Sequence, residues 1–288
     1  KAVYNQLADA WQVVLANIHD AIELTGASAS ARSAAMSHFW GTHQRFFNQV
    51  ITSMQLPAVY REIDKAIKAG QAVVIQLTNT GEASQERALA ARQEGDDLED
   101  FDSSPADLLM QMVERSFPVQ QYEDYIDENG NEAKRPVVDS NGNPVLNRDA
   151  VALRDALLDR LGSITVPNSP IDAIVDKYGH ENVSEVTGRS RRVILMDNEK
   201  GERVKTINKR SKDFSNDKEV AAFMGDKKHI LIFSEAGGTG ASYHSDRNVD
   251  NQRPRLHILL QAGWKASAAV QGLGRSHRTN QSSAPLYR

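Results

Sequence analysis

The chain has 288 residues, 40% hydrophobic and 25% charged, with a formal net charge of −4 and no cysteine. That is enough chain for one large domain or two ordinary ones with a real core, and it excludes disulfides, thiolate catalysis and cysteine–zinc sites. No run approaches the roughly 18 apolar residues of a membrane span, and Lys1 to Ala10 is polar and mixed rather than a secretory leader, so the expected setting is cytoplasmic, with no membrane partner.

Residues 1–56 read as a helical segment. Trp11, Leu15, Ile18 and Ile22 fall at helical spacing and Gly26 is a stop. A second amphipathic stretch runs from about Ala31 to Met54 with Phe39, Trp40, Phe46, Phe47, Val50 and Ile51, as core or as an interface with a neighbouring lobe. Pro57 then opens a helix carrying Val59, Ile63 and Ile67, closed by Gly70. Ala72 to Leu77 is a short apolar run between Gly70 and the polar Thr78-Asn79-Thr80-Gly81, the pattern of a strand buried on both faces of a parallel sheet.

Residues 57–288 form the expected main domain, interrupted by an inserted acidic and hairpin-bearing region at about 92–165. From Glu82 to Asp107 nine acidic residues face two basic ones, so the insertion begins as an acidic stretch. A helix starts at Ser104-Pro105 with Asp107 completing its cap, and Asn129-Gly130 and Asn141-Gly142 are turns between extended segments. As calcium loops with glycine at position six they would place Tyr125 or Val137 at position one and Pro136 or Arg148 at position twelve; none of these supplies the required carboxylate.

Ser169-Pro170 caps a helix ending near Gly179, and a further helix is expected from about Glu181 to Thr187. Arg191–Met196 and Arg203–Ile207 read as a hairpin inside a stretch, Arg189 to Lys212, with nine basic residues against three acidic. A second basic stretch runs from Asp246 to Arg278, so the C-terminal part offers positive charge despite the net negative balance. Ser215 caps a helix to Met224, and His229–Phe233 and Leu256–Gln261 are two more buried-type strands. Strands alternating with helices predict an α/β, RecA-like parallel sheet with flanking helices. No internal repeat is evident.

Two segments carry chemistry. Phe233-Ser234-Glu235-Ala236-Gly237-Gly238-Thr239-Gly240 runs a strand into a glycine-rich loop, which is either a structural turn or a place where backbone N–H groups approach a phosphate. Gly-x-x-x-x-Gly-Lys-Ser/Thr occurs nowhere, and neither glycine cluster completes Gly-x-Gly-x-x-Gly. Further on, Gln271-Gly272-Leu273-Gly274-Arg275-Ser276-His277-Arg278 sets two arginines three apart. On a helix or tight turn both guanidinium groups point the same way, as a clamp for phosphoryl charge or as surface ion-pairing residues. His38 and His43 are five apart, off the face a zinc pair needs, and Asp246 reads as a loop or cap residue rather than half of an acid–base pair with Asp250; no metal site is expected.

Strand, glycine loop, strand, then Gln-x-x-Gly-Arg-x-x-Arg resembles motifs V and VI in the second lobe of superfamily 2 helicases, and Gly274–Arg278 also resembles the matching element of Swi/Snf-type remodellers. The strawberry notch family of helicase-like proteins is the best match. Phe39–Phe47 resembles a segment before its motif IV, Val73–Ala83 motif IV itself, and Glu181–Arg189 its basic hairpin region. Only residues 92–165 lie outside the resemblance.

That resemblance implies a nucleic-acid-dependent ATPase of helicase or translocase type. Arg275 and Arg278 would be arginine fingers, Gln271 would help position them, and Gly238 and Gly240 would sit at the interface that couples nucleotide to nucleic acid. Thr78, Asn79, Thr80, Gly81, Ser234 and Thr239 would touch the phosphate backbone, with Arg189, Arg191 and Arg192 flanking the track. The partner would be nucleic acid, DNA in the first instance, and ATP with magnesium would be held mainly by a first RecA-like lobe outside this chain. The chain alone, a fragment of a longer protein, is then expected to be inactive. The competing expectation is a degenerate RecA-like lobe serving as a protein-interaction or antirestriction accessory module.

Overall fold

Strands that are apolar on both faces need cover on both sides, and the apolar runs of this chain are gathered into one such sheet. The structure, a computed structural model, describes residues 2–78, 105–188, 191–197, 203–209, 212–234, 240–263 and 265–288. In chain order the elements are α1 (Ala2–Thr25), α2 (Ala29–Lys68), β1 (Ala72–Leu77), α3 (Pro105–Ser116), β2 (Tyr122–Ile126), β3 (Glu132–Pro136), α4 (Arg148–Gly162), α5 (Pro170–Tyr178), β4 (Val183–Val186), β5 (Arg191–Asp197), β6 (Arg203–Lys209), α6 (Lys212–Met224), β7 (Ile230–Ser234), β8 (Arg255–Leu259), α7 (Ala266–Leu273) and β9 (Leu286–Tyr287). They group into two compact units, residues 1–50 with 104–167, and residues 51–103 with 168–288.

The first unit is a helical core. Leu7, Trp11, Val14, Ile18 and Ile22 form the buried stripe of α1 and meet Phe39, Phe46 and Val50 of α2, Leu109 and Val113 of α3, and Leu157 and Leu161 of α4. Trp11 stands edge-on to Phe39 at 5.2 Å and to Phe46 at 5.3 Å, so most of the aromatic stripe of α2 is core, with Trp40 exposed. Both Asn-Gly pairs are turns, and they are copies of one another. Asp127 Oδ1 accepts from the backbone N–H of Asn129 and Asn131, and Asp139 Oδ1 accepts from Asn141 and Asn143. Gly130 and Gly142 sit at φ +80° and +81°, a conformation that disfavours a Cβ. Asp-x-Asn-Gly-Asn therefore recurs, a short repeat too brief to show as a period in the sequence.

Two further expectations are corrected. Pro57 does not open a helix but lies inside α2, which is continuous over 40 residues. A mid-helix proline removes one hydrogen bond, at roughly 3 kcal/mol, and burial of Leu56, Val59 and Ile63 in the core of the second unit offsets it. Residues 183–186 are strand rather than helix, parallel to β7 in the register Val183↔Ile230. The acidic and polar residues there suggested a helix, but Ser184 and Glu185 are fully buried in the sheet, and tertiary context overrides local propensity.

In the second unit the five parallel strands run β4-β7-β1-β8-β9, a RecA-like α/β sheet. Alternation divides its two faces. Val73, Ile75 and Leu77 of β1, Ile230 and Ile232 of β7, and Leu256 and Ile258 of β8 enter one apolar core with α5 and the end of α2. On the opposite face Ala72, Val74, Val186, Leu231, Phe233, Phe223 and Tyr243 form a smaller cluster, and three further positions there are polar, Gln76, Arg255 and His257, each buried. The first face holds the fold and the second is chemically distinct.

Trp11 is the pivot of the helical unit. Trp11→Ala is expected to lower stability by about 3–5 kcal/mol in chemical denaturation followed by circular dichroism.

Candidate functional site

Because all five strands are parallel, their C-terminal ends lie along one edge, where ligands of open α/β sheets bind. Thr78, Thr187, Ser234 and Gln261 stand at or just past those ends. The polar face of the sheet leads to this edge through three buried side chains.

Arg255 is 1% exposed and, among the described residues, forms no ion pair. Its guanidinium donates five hydrogen bonds: Nε to the Tyr243 carbonyl at 2.8 Å, Nη1 to Asn251 Oδ1 at 2.8 Å and to the Arg253 carbonyl at 2.5 Å, and Nη2 to the carbonyls of His244 at 3.2 Å and Asn251 at 2.9 Å. Burial lowers its pKa to about 10, so it stays charged at neutral pH and winds the loop between β7 and β8 around itself. Only a planar five-donor fork fits that acceptor set.

The next polar residue of β8, His257, is fully buried. Its Nε2 lies 3.1 Å from Gln76 Oε1 and its Nδ1 2.6 Å from Ser276 Oγ. Gln76 Nε2 donates to the Ala269 carbonyl at 3.2 Å, so Oε1 is the accepting end and His257 Nε2 carries the proton. Nδ1 is then the acceptor, and the Ser276 hydroxyl, which also lies 3.2 Å from the Leu273 carbonyl, donates to it over the shorter distance. Burial pushes His257 down to about 4, which keeps the ring neutral and this tautomer in place. Phe233 and Tyr287 flank the ring at 5.9 and 5.6 Å. A Cβ on Gly272 would overlap the Gln76 amide, so the glycine of Gln-Gly-Leu-Gly admits that side chain beneath α7.

The two arginines follow the C-terminus of α7, so helical periodicity does not align them. Arg275 is half-buried: Nη1 donates to the Ala241 carbonyl at 3.0 Å, and the guanidinium lies 5.7 Å from the Phe233 ring centre. Its own carbonyl accepts from Tyr243 N–H at 2.7 Å. Burial raises the Tyr243 phenol to about 12, so Tyr243 stays neutral and offers no counter-charge. Arg278 is exposed, with Nε donating to the Gly274 carbonyl at 3.1 Å and its N–H to Gln281 Oε1 at 3.1 Å. Among the described residues neither arginine forms an ion pair. The arginine turn also zips to the loop after β7: Arg247 N–H donates to the Asn280 carbonyl and Ser282 N–H to the Ser245 carbonyl. Asp246 caps that junction, accepting from Asn248 N–H and Asn280 Nδ2; the Asn248 bond leads the causes that hold its carboxyl below the usual range.

Of the other expected site residues, Gly240 has φ +82°, a left-handed conformation that favours glycine, and Gln271 is exposed on α7. Thr78 is tied to its own sheet: its N–H donates to Gln261 Oε1 at 3.3 Å and its hydroxyl to the Gln261 carbonyl at 3.2 Å. Ser234 is buried at the end of β7. Arg191 and Arg192 begin β5, with Arg191 in register with Lys209 of β6. Asn79, Thr80, Gly81, Arg189, Gly238 and Thr239 lie outside the described residues. Sequence reading passed over Gln76, Arg255, His257 and Ser276 as site residues. The available signal was a polar residue interrupting an apolar strand, as Gln76 does in Ala72–Leu77 and His257 in Arg255–Leu259.

Among the described residues no group of three His, Asp or Glu side chains could hold a metal ion, and no helix is long and apolar enough to cross a membrane. Residues 169–288 match the family model for the C-terminal domain on strawberry notch homologues. Over 99% of its length the chain is 28% identical to protein strawberry notch homolog 1 of Rattus norvegicus, and over 100% it is 26% identical to protein FORGETTER 1 of Arabidopsis thaliana. Protein strawberry notch of Drosophila melanogaster is 39% identical over 143 residues, covering 48% of this chain and 9% of that protein. The chain spans 27% and 31% of the first two relatives. No solved structure matches.

The His257 environment has a pH consequence. With a folded pKa near 4 against 6.5 when unperturbed, the unfolded chain binds a proton that the folded chain refuses, so stability falls as pH drops from about 6.5 towards about 4. The shift corresponds to about 3 kcal/mol at most. In denaturant titrations at pH 7 and pH 5, His257→Gln, which retains a donor towards Gln76 but no titrating ring, is expected to show a shallower decline than the wild type.

Proposed function

Because the chain belongs to the strawberry notch family of helicase-like proteins and forms a helicase-like C-terminal lobe, we propose that it is the second RecA-like lobe of an ATP-driven nucleic-acid motor. The observation that carries this reading is the turn after α7, which presents Arg278 to solvent with no acidic partner among the described residues. An exposed guanidinium anchored through Nε leaves its remaining N–H donors for an external anion, and planar forks of this kind suit phosphate. Arg275, held on Ala241 and Phe233, adds positive charge behind it.

The donor set fits a nucleotide phosphate supplied from outside the lobe. ATP with magnesium, held mainly by a first lobe, supplies the phosphoryl-transfer chemistry; this chain's arginines neutralise charge that develops on the transferred group. The half-buried Arg275 is the more fixed of the two and Arg278 the one that reaches. Gly240 and the loop wound around Arg255 adjoin Arg275 through Ala241, so a change at the nucleotide is felt in the loop that follows β7. The end of β1 and the β5–β6 hairpin, which begins Arg191-Arg192, supply the nucleic-acid side. Contacts of this kind go to the phosphate backbone, independent of sequence and sensitive to salt, and DNA is the partner we assign.

In the full-length protein, Arg278→Ala is expected to reduce nucleic-acid-stimulated ATP turnover by about 10³-fold, with nucleic-acid affinity little changed. Wild-type turnover in that variant would sink the finger assignment and favour an accessory, protein-binding role.

A further inference from the structure

The polar face of the sheet raises a question that the arginines alone do not answer: why a core position carries a histidine. Hydrophobic residues of similar volume would fill the space beneath α7 with no desolvation of polar groups, and such replacements are often neutral or stabilising. Three polar side chains lie there instead, Gln76 at 5% exposure, His257 at 0% and Ser276 at 1%. They come from β1, from β8 and from the arginine turn, and each satisfies the next. The last turn of the helix above them carries a glycine at position 272 where the Gln76 amide intrudes.

Resting on the motor reading above, we propose that the Gln76–His257–Ser276 chain is a positioning element that locks the arginine turn to the end of β1, so that the nucleic-acid edge and the nucleotide-facing arginines move as one body. At one end Ser276 sits between Arg275 and His277. At the other, the Gln76 carbonyl accepts from both Leu260 and Gln261 N–H, and Gln261 holds Thr78 by two hydrogen bonds. The path from Thr78 to the arginine turn thus runs through directional bonds in a buried, low-dielectric setting, where a fully satisfied network specifies one arrangement. The ring of His257 is fixed edge-on by Phe233, and the same Phe233 ring carries the Arg275 guanidinium. None of these three residues reaches the phosphate; they act through the turn.

The test uses the full-length protein with ATP and a single-stranded oligonucleotide. Ser276→Ala removes one hydroxyl and almost no volume. It is expected to lower stimulated kcat by roughly tenfold or more, the scale of a small misplacement of a reacting group, with KM for ATP and oligonucleotide affinity within about twofold of wild type. Ser276→Thr, which keeps the hydroxyl, is expected to recover much of the loss. Ser276→Ala with His257→Gln should be no worse than the more damaging single change, because both cut one path. Hydrogen exchange provides a readout without turnover: in Ser276→Ala, amides of 275–281 and of Gln261 should lose protection together. Wild-type kcat in Ser276→Ala, an equal loss in Ser276→Thr, additive single effects, or exchange confined to the turn would each overturn the proposal. Should Ser276→Ala fail to fold, Ser276→Thr and His257→Gln carry the same comparison. Arg278→Ala measured alongside separates the two levels: its collapse beside a normal Ser276→Ala removes only the positioning role, whereas its survival removes the motor reading beneath it.

Discussion

The second unit depends on one constraint: polar groups buried beneath α7 must find their hydrogen-bond partners among themselves and in the backbone of α7. A buried unsatisfied donor or acceptor costs about 1–3 kcal/mol, so the amide of Gln76, the imidazole of His257 and the hydroxyl of Ser276 are mutually required. Meeting that requirement brings residues 76, 257 and 276 to one point and leaves the arginine turn little freedom in how it leaves α7. Arg255 obeys the same rule two residues earlier on β8, with five acceptors gathered around one cation. One face of the sheet is therefore organised chiefly by apolar burial, and the other sets a row of hydrogen-bonded polar side chains beside a smaller apolar cluster.

This division explains how a lobe can be both stable and responsive. Val73, Ile75, Ile230, Ile232 and Leu256 pack without direction and tolerate small shifts. Hydrogen-bond chains have a defined geometry and transmit displacement, and they weaken steeply when it is lost. In the proposed motor the arginines would answer to a nucleotide on one side and a nucleic acid on the other and would need such a connection, which Gln261 with Thr78 extends to the strand ends.

Much of the sheet was legible in the sequence. The strands β1, β7 and β8 are apolar runs of strand length flanked by polar or turn-forming residues. The strand β4 was not legible, because Ser184 and Glu185 look like solvent-facing helical residues until the sheet buries them. Pro57 misled for a related reason: the break it suggests is overridden by Leu56, Val59 and Ile63 packing on the sheet. The Gln76–His257–Ser276 chain was invisible for a third reason. Its members are 181 and 19 positions apart in sequence, and no local pattern links them. What the sequence does show is an anomaly in each of two strands, a glutamine in the otherwise apolar β1 and a histidine between Leu256 and Ile258 of β8.

The link between β1 and the arginine turn depends on the state of one imidazole, that of His257. Nitrogen-15 NMR of histidine-labelled protein at neutral pH should find His257 neutral, protonated at Nε2 and accepting at Nδ1. A resonance with the proton on Nδ1, or one averaged between the two nitrogens by solvent exchange, would contradict a locked connection between β1 and the arginine turn.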